Sequence, residues 1–219
     1  MEFKNAEQAF HYLYSEIHKK GIDHSNTKAL FNIGFYITNP LDNDINLDYR
    51  KLNKKYAEAE WEWYLTGDRN IDRLGQIYGK VPTIWRNMAN QYNEVNSNYG
   101  WQWLQNSQLD KVINKLLSNK ETRQATISIY DGKQIDDYYY DTPCTYAITF
   151  NIVKGKLNMS VLMRSNDLWF GFCNDQYCFS KLQELVSKKI DIKIGTYYHH
   201  ATNLHIYNNF LNKHNDTKQ

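Results

Sequence analysis

The sequence has few residues that cross-link or interrupt a chain. Its 219 residues include three cysteines and three prolines, and its ten glycines are not gathered into a linker. A small, odd number of cysteines excludes a disulfide framework. Because no Pro-, Gly- or Ser-rich stretch divides the chain, we expect a single domain over residues 1–219.

Long apolar runs and a large net charge are also absent. No stretch approaches the roughly 18 consecutive apolar residues of a membrane-spanning helix, and the opening MEFKNAEQAF lacks the apolar core of a secretory signal. We therefore expect a cytoplasmic protein with no membrane partner. The 26 basic and 24 acidic residues leave a net charge of +2. This balance argues against binding to duplex nucleic acid but leaves room for a small anionic ligand.

Aromatic residues, in contrast, are abundant, and 18 Tyr, 9 Phe and 6 Trp exclude a disordered chain. Apolar residues spaced by three or four predict helices over residues 6–19, 50–65, 109–117 and 180–189. Alternating or β-branched segments predict strands over residues 29–38, 125–130, 146–153, 157–163 and 192–198. Lys154-Gly155-Lys156 is typical of a hairpin turn. These elements predict an α+β fold in which helices pack on a mainly antiparallel or mixed sheet.

Two positions have side chains suited to catalysis. Cys144 follows Pro143 at a turn before a strand, where a thiolate could add to an electrophilic carbon, although a small buried cysteine is the simpler interpretation. Glu60 and Glu62 flank Trp61. A carboxyl held against indole rings favours its neutral form, whereas a solvated helix face is the alternative.

A third candidate is a polar cluster at the end of a predicted strand, within residues 163–175. It contains Arg164, Ser165, Asn166, Asp167, Asn174 and Asp175. Arginine beside serine suits a phosphate, because a planar donor fork and a hydroxyl both reach its oxygens. Cys173 and Cys178 are interpreted as core or surface thiols. His199, His200 and His205 lack partners at ligand spacing, so we expect no metal.

Several blocks together give the sequence a resemblance to the thymidylate synthase superfamily, and within it to the deoxycytidylate hydroxymethylase branch of large DNA bacteriophages. The blocks are Glu60-Trp-Glu-Trp-Tyr-Leu-Thr-Gly-Asp, Thr83-Ile-Trp85, Asn96-Ser-Asn-Tyr-Gly-Trp101, Pro143-Cys144, Met163-Arg-Ser-Asn-Asp with Phe170-Gly-Phe, and Leu204-His205-Ile-Tyr207. They occur in the family's order over residues 55–210. The resemblance implies the family's fold and a folate-dependent transferase of nucleotide biosynthesis, located in the host cytoplasm if phage-encoded.

The resemblance also implies roles for individual residues. Cys144 would be the nucleophile that adds to pyrimidine C6, Glu60 would organise proton transfer at the base, and Tyr99 would lie near the reacting carbon. Further residues would bind ligands: Arg164, Ser165, Asn166, Asp175, His205, Tyr207, Arg123 and Lys28 the nucleotide, and Trp85, Asp167 and Gly171 the folate.

A homodimer is implied as well. In the family the neighbouring subunit supplies phosphate-binding arginines from a motif matched by Thr122-Arg123-Gln124. Only Arg123 is retained, because Gln124 replaces the second arginine. The family's first phosphate arginine has no clear match, and Lys28 is only a candidate.

The implied chemistry uses methylenetetrahydrofolate as cosubstrate. Cysteine attack at C6 makes C5 nucleophilic enough to accept one carbon, after which water gives a hydroxymethyl product and hydride gives a methyl product. The sequence ends about a dozen residues after Tyr207. We expect a more open folate site and favour water capture, with methylation of dCMP or dUMP and a non-catalytic nucleotide- or RNA-binding protein as alternatives.

Asp175 determines the expected base. It lies four positions after Gly171, where the synthases have asparagine and the hydroxymethylases have aspartate. A carboxyl accepts from the cytosine amino group, whereas an amide suits uracil. Asn174 would restore the uracil pattern if the register slipped by one residue. The spacing therefore predicts dCMP as the substrate, with Asp175 in a catalytic as well as a binding role.

Overall fold

The computed structural model describes residues 1–211 and contains one large mixed sheet. Its strands are β1 (Glu2–Phe3), β2 (Ile22–His24), β3 (Thr27–Ile37), β6 (Thr126–Ser128), β7 (Thr145–Val153), β8 (Lys156–Asp167) and β9 (Lys193–Tyr207); β4 (Asn46–Leu47) and β5 (Arg50–Lys51) form a separate pair. The order across the large sheet is β1-β3-β9-β8-β7-β6, with β2 beside β3. The β8–β9 pair is parallel and β3–β9 and β7–β8 are antiparallel, which confirms the predicted α+β fold.

Seven α-helices accompany the sheet in the described part of the chain. They are α1 (Ala6–Lys20), α2 (Lys54–Thr66), α3 (Ile71–Tyr78), α4 (Thr83–Met88), α5 (Tyr99–Leu104), α6 (Gln108–Ser118) and α7 (Gly171–Ile190). Helix α7 crosses over between the parallel strands β8 and β9 and packs against both. Its buried face carries the fully buried Phe172, Phe179, Leu182 and Val186, with the polar Gln176 and Gln183 buried among them.

Several predicted boundaries were wrong. Helix α2 begins at Lys54, because the Asn53 side chain accepts a hydrogen bond from the Tyr56 amide and caps it. Helix α7 begins at Gly171 rather than residue 180, so the polar cluster of residues 163–175 is divided between β8 and the first turn of α7. The many polar residues of the cluster hide the spacing of apolar residues from which the end of β8 and the start of α7 could have been predicted. The Lys154-Gly155 turn has positive φ at both residues and confirms the hairpin.

The sheet changes its buried face near the end of β8. Leu157, Met159, Val161 and Met163 are buried at odd positions, but Asn166 and Leu168 are buried at even positions. Strand β9 makes the same change between Ala201 and Leu204. Because side chains alternate along a strand, the change exposes the segment that contains Arg164 and Ser165. This irregular region forms the floor of the candidate site.

Candidate functional site

Cys144 is held immediately before strand β7 by hydrogen bonds to the loop that precedes it. The Arg164 guanidinium on β8 donates from Nη2 to the Thr142 carbonyl at 2.7 Å and from Nε to the Pro143 carbonyl at 3.0 Å. The Arg164 amide also donates to the Cys144 carbonyl at 2.8 Å. Arg164 therefore fixes the backbone of residues 142–144 and with it the position of the thiol.

A buried carboxylate fixes the same loop from its other end. Asp141 accepts hydrogen bonds from the Ser97 amide at 2.6 Å and the Ser97 hydroxyl at 2.7 Å. The Asn96 amide group donates to the Asp141 carbonyl at 2.9 Å. Sequence reasoning gave Asp141 and Ser97 no role, although each lies inside a matched block or beside one.

A cation lies near the Cys144 thiol, and a tyrosine contacts the following residue. Its Sγ is 4.0 Å from Arg164 Nη2. Burial raises the pKa of Cys144 to about 11, and the Arg164 charge partly opposes that rise. The neighbouring Thr145 amide donates to the Tyr99 hydroxyl at 3.2 Å, so Tyr99 at the start of α5 contacts the residue next to the thiol.

Glu60 projects from α2 into the same region and is buried, with 4% of its surface exposed. Its Oε1 accepts from the Tyr56 hydroxyl at 2.8 Å, and that hydroxyl accepts from Trp85 Nε1 at 2.7 Å. Burial raises the pKa of Glu60 to about 7, and the Tyr56 hydrogen bond opposes the rise. Glu60 can therefore hold or release a proton near neutral pH. The alternative interpretation of Glu60 as a solvated residue is wrong.

Helices α2 and α5 approach so closely because residue 100 is glycine. A Cβ at Gly100 would lie 1.7 Å from the Tyr64 carbonyl oxygen, far inside a contact distance. The glycine thus brings the start of α5, with Tyr99, against α2, with Glu60. The buried Asn98 caps α5 by accepting from the Trp101 amide at 2.7 Å.

Asp175 lies on the first turn of α7 and contacts β8. Its Oδ2 accepts from Asn166 Nδ2 at 2.8 Å. Burial raises the pKa of Asp175 well above its usual value, and the charge of Glu60 raises it further. Asn174 has no side-chain hydrogen bond within residues 1–211. The structure therefore brings Asp175, and not Asn174, to Asn166.

Asp167 shapes the connection between β8 and α7. Its two carboxylate oxygens accept from the Trp169 and Phe170 amides at 2.9 and 3.2 Å. A Cβ on Gly171 would lie 3.1 Å from Asn166 Nδ2 and 3.4 Å from Asp175 Oδ2. The absent side chain thus leaves room for the Asn166–Asp175 hydrogen bond.

Arg50, which sequence reasoning missed, supports this connection from β5. Its Nε donates to the Trp169 carbonyl at 2.8 Å, and its guanidinium carbon lies 5.6 Å from the ring centres of both Trp169 and Phe170. Phe170 keeps 48% of its surface exposed. Arg50 stands ten residues before Glu60, outside every block we used, so no sequence signal pointed to it.

The remaining predicted nucleotide residues lie at the ends of β8 and β9. Asp167 and His205 are paired across these parallel strands. The His205 and Tyr207 rings meet edge to face at 5.3 Å. Burial chiefly raises the pKa of Tyr207, with smaller contributions from the charges of Asp167 and Cys144. The Ser165 hydroxyl forms no hydrogen bond to another described residue, so it is available to a ligand.

Two predicted residues, Arg123 and Lys28, do not join this cluster in the single chain, and Trp85 reaches it only through the Tyr56 hydroxyl. Arg123 is exposed beyond α6, beside a surface recess lined by Lys115 and Gln124. Lys28 donates to the His18 carbonyl at 3.1 Å and so caps the end of α1. Trp85 is 8% exposed and packs edge to face on Trp63 at 5.4 Å.

The cluster therefore combines a partly buried thiol, two buried carboxyls with raised pKa values and an exposed arginine at one end of the sheet. A thiol can add to an electrophilic carbon, and the carboxyls can supply or accept the protons of that addition. No helix among residues 1–211 is long and apolar enough to cross a membrane.

Comparison with known proteins assigns the family. The thymidylate synthase family model matches residues 8–218. The chain is 32% identical to a deoxyuridylate hydroxymethyltransferase of Delftia phage PhiW-14 over 203 residues, which cover 85% of this chain and 55% of that protein. It is 35% identical over 172 residues to the deoxycytidylate 5-hydroxymethyltransferase of Enterobacteria phage T4, covering 71% of this chain and 68% of that protein.

A solved structure agrees with these matches at the level of the fold. Thermostable thymidylate synthase A from Bacillus subtilis superimposes with a TM-score of 0.81 at 18% identity, covering 97% of this chain and 84% of that one. The chain spans about half the length of the Delftia phage relative. By its sequence match and its fold, this chain belongs to the thymidylate synthase family.

Proposed function

We propose that the protein transfers a hydroxymethyl group to C5 of dCMP, with methylenetetrahydrofolate as the one-carbon donor. The observation that carries the proposal is the hydrogen bonding of Asp175. Its Oδ2 accepts a hydrogen bond from Asn166, and its Oδ1 has no hydrogen-bond partner among the described residues. A carboxyl oxygen facing the base accepts from the cytosine N4 amino group. When protonated, it donates to cytosine N3.

The other cluster residues have roles that follow from their positions. Cys144 Sγ would bond to C6, which leaves a carbanion-like C5 able to accept one carbon. Glu60 would hold or move a proton beside the base, since its pKa of about 7 is close to working pH. Arg164 and Ser165 would bind the 5′-phosphate, and His205 and Tyr207 the sugar.

The folate cosubstrate would lie against the β8–α7 connection. Members of the family use methylenetetrahydrofolate, which supplies a carbon at the oxidation level of formaldehyde. The residues present fit a flat, amino-substituted ring: Phe170 is partly exposed, and Asp167 retains lone pairs that can accept from amino groups. Trp85 would contribute packing, because its Nε1 already donates to Tyr56.

The phage relatives support the hydroxymethyl product. Relatives named as hydroxymethyltransferases share 32% and 35% identity with this chain, whereas a thymidylate synthase of Buchnera aphidicola shares 28% over 157 residues. One of these relatives is named for deoxyuridylate and the other for deoxycytidylate. The base preference therefore rests on Asp175.

We further propose a homodimer. Arg123 is exposed and makes no contact with the cluster of its own chain, which is the arrangement expected if it completes the partner's phosphate site. One side of the large sheet supports this proposal, because alternate side chains of β8 and β9 that face away from the core, among them Leu162 and Tyr198, are only partly buried. Pairing of these sheet faces would bury them.

A single incubation separates the candidate functions. Purified protein is mixed with tetrahydrofolate, labelled formaldehyde and either dCMP or dUMP, and the nucleotide is analysed by mass spectrometry. We expect a CH2OH gain on dCMP, and Asp175→Asn should shift the preference toward dUMP by about 1–3 kcal/mol. A CH3 gain would assign a methylating enzyme, and no gain with either nucleotide would assign a binding protein. Wild-type turnover of dUMP at least equal to that of dCMP would refute the base assignment.

A further inference from the structure

A buried row of hydrogen bonds runs from β9 to the side chain that faces the base. The Tyr197 hydroxyl lies 2.9 Å from His199 Nδ1, and His199 Nε2 lies 3.1 Å from Asn166 Oδ1. Asn166 Nδ2 then donates to Asp175 at 2.8 Å. Tyr197 and His199 are fully buried, and in the sequence His199 was only a poor metal candidate.

All the hydrogen bonds in this row run from donor to acceptor in the same sense, and the Tyr197 hydroxyl determines which sense that is. This hydroxyl has no hydrogen-bond partner other than His199 within residues 1–211, so its proton must be donated to Nδ1 to avoid a buried unsatisfied donor. The imidazole then carries its own proton on Nε2 and donates it to Asn166 Oδ1. The Asn166 amide is thereby turned so that its NH2 group faces Asp175.

The surroundings of His199 keep the ring neutral. Phe35 stacks on it at 5.1 Å and Phe172 meets it edge-on at 5.4 Å. Burial, with a smaller contribution from His200, lowers the pKa of His199 to about 3. The imidazole therefore acts as a fixed donor over the working pH range and does not relay protons.

We propose that His199 is a positioning residue for base selection, acting through the Asn166 amide on Asp175. This inference rests on the proposed function and adds to it a residue that does not touch the substrate. With the amide fixed, Asp175 Oδ2 can only accept, so any carboxyl proton must lie on Oδ1, the oxygen left for the base. Without the Nε2 donor the amide could turn over, and the proton would be shared with the Asn166 carbonyl instead of cytosine N3.

Two substitutions at His199 test the proposal against a merely structural role. His199→Phe removes the donor but keeps a flat ring among the aromatic neighbours, whereas His199→Gln keeps an N–H donor and an acceptor. We expect His199→Phe to lower the ratio of kcat/KM for dCMP over dUMP by at least about tenfold, the effect of misplacing one buried polar contact. His199→Gln should keep that ratio within about threefold of wild type, as a conservative rescue. An unchanged ratio in folded His199→Phe would overturn the proposal.

A spectroscopic measurement tests the hydrogen-bond direction without any turnover. Nitrogen-15 NMR of histidine-labelled protein should show His199 as the Nε2–H tautomer, unchanged from pH 5 to pH 9, and Tyr197→Phe should give a mixture of tautomers. A wild-type Nδ1–H tautomer would reverse the row and overturn the proposal, even if His199→Phe fails to fold. If wild-type protein prefers dUMP or turns over neither nucleotide, the proposed function fails, while the tautomer still decides the direction of the row.

Discussion

Replacing Glu60 with glutamine should stabilise the protein at alkaline pH while it removes activity. Glutamine keeps an oxygen that can accept from the Tyr56 hydroxyl but has no charge to desolvate. The folded-state pKa of Glu60 is raised from 4.5 to about 7 by burial. A raised carboxyl pKa means that ionisation opposes folding, so the cost is absent at low pH and grows as pH rises from the unfolded pKa to the folded one.

The magnitude follows from this shift. With an unfolded pKa of 4.5 and a folded pKa of about 7, the cost of keeping Glu60 folded is about 0.8 kcal/mol at pH 5 and about 3 kcal/mol at pH 8. The gain in unfolding free energy from Glu60→Gln should therefore increase by roughly 2.5 kcal/mol between these pH values. The same charge raises the pKa of Asp175, so part of the gain is shared with that carboxyl.

Urea unfolding of both proteins at pH 5 and pH 8 measures this difference. Glu60→Gln in an Asp175→Asn background separates the direct effect from the coupling between the two carboxyls. Glu62→Gln, two residues along the same helix and exposed, is the matched control and should show no such increase. Parallel pH dependence of wild type and Glu60→Gln would refute the argument that burial controls Glu60.

Three further outcomes are expected. Cys144→Ala should abolish product formation but leave nucleotide binding measurable by calorimetry, because the thiol supplies the covalent step and not the main affinity; near-normal turnover would remove the nucleophile assignment. Arg164→Ala should weaken nucleotide binding by about 2 kcal/mol or more, with Arg164→Lys losing less, and unchanged affinity would place the phosphate elsewhere. Mixing inactive Cys144→Ala and Arg123→Ala subunits should restore some activity, and no recovery after verified subunit exchange would contradict a shared site.

The sequence predicted the fold well where apolar spacing was regular. Helices α1 and α6 and the β7–β8 hairpin lie close to their predicted positions. The short helices α3, α4 and α5 were missed because six to eight residues carry too little periodicity to stand out. Strands β8 and β9 are longer than predicted, since alternation fails where the sheet changes its buried face.

The site was predicted mainly where residue type and chemistry coincide. Cys144, Glu60, Arg164 and Asp175 carry reactive or charged groups inside blocks that resemble the family, and the structure places them in one cluster. Residues that only position other side chains have no such signal in the sequence. The hydrogen bond from Arg50 to Trp169 spans 119 residues and that from His199 to Asn166 spans 33, so only the fold brings these partners together.

Burial favours the neutral forms of the acidic groups in the cluster before a nucleotide binds. Burial raises the pKa of Glu60, Asp167 and Asp175, and it raises that of Cys144 to about 11, so about one thiol in ten thousand is ionised at pH 7. A nucleoside monophosphate brings up to about two negative charges, which ionised carboxylates near the phosphate would repel. Under the proposed function, the raised pKa values of these carboxyls reduce this repulsion. Attack by the thiol must then be accompanied by transfer of its proton to a base, and a buried carboxyl such as Glu60, with a pKa of about 7, can accept one proton and return one as charge develops on the ring.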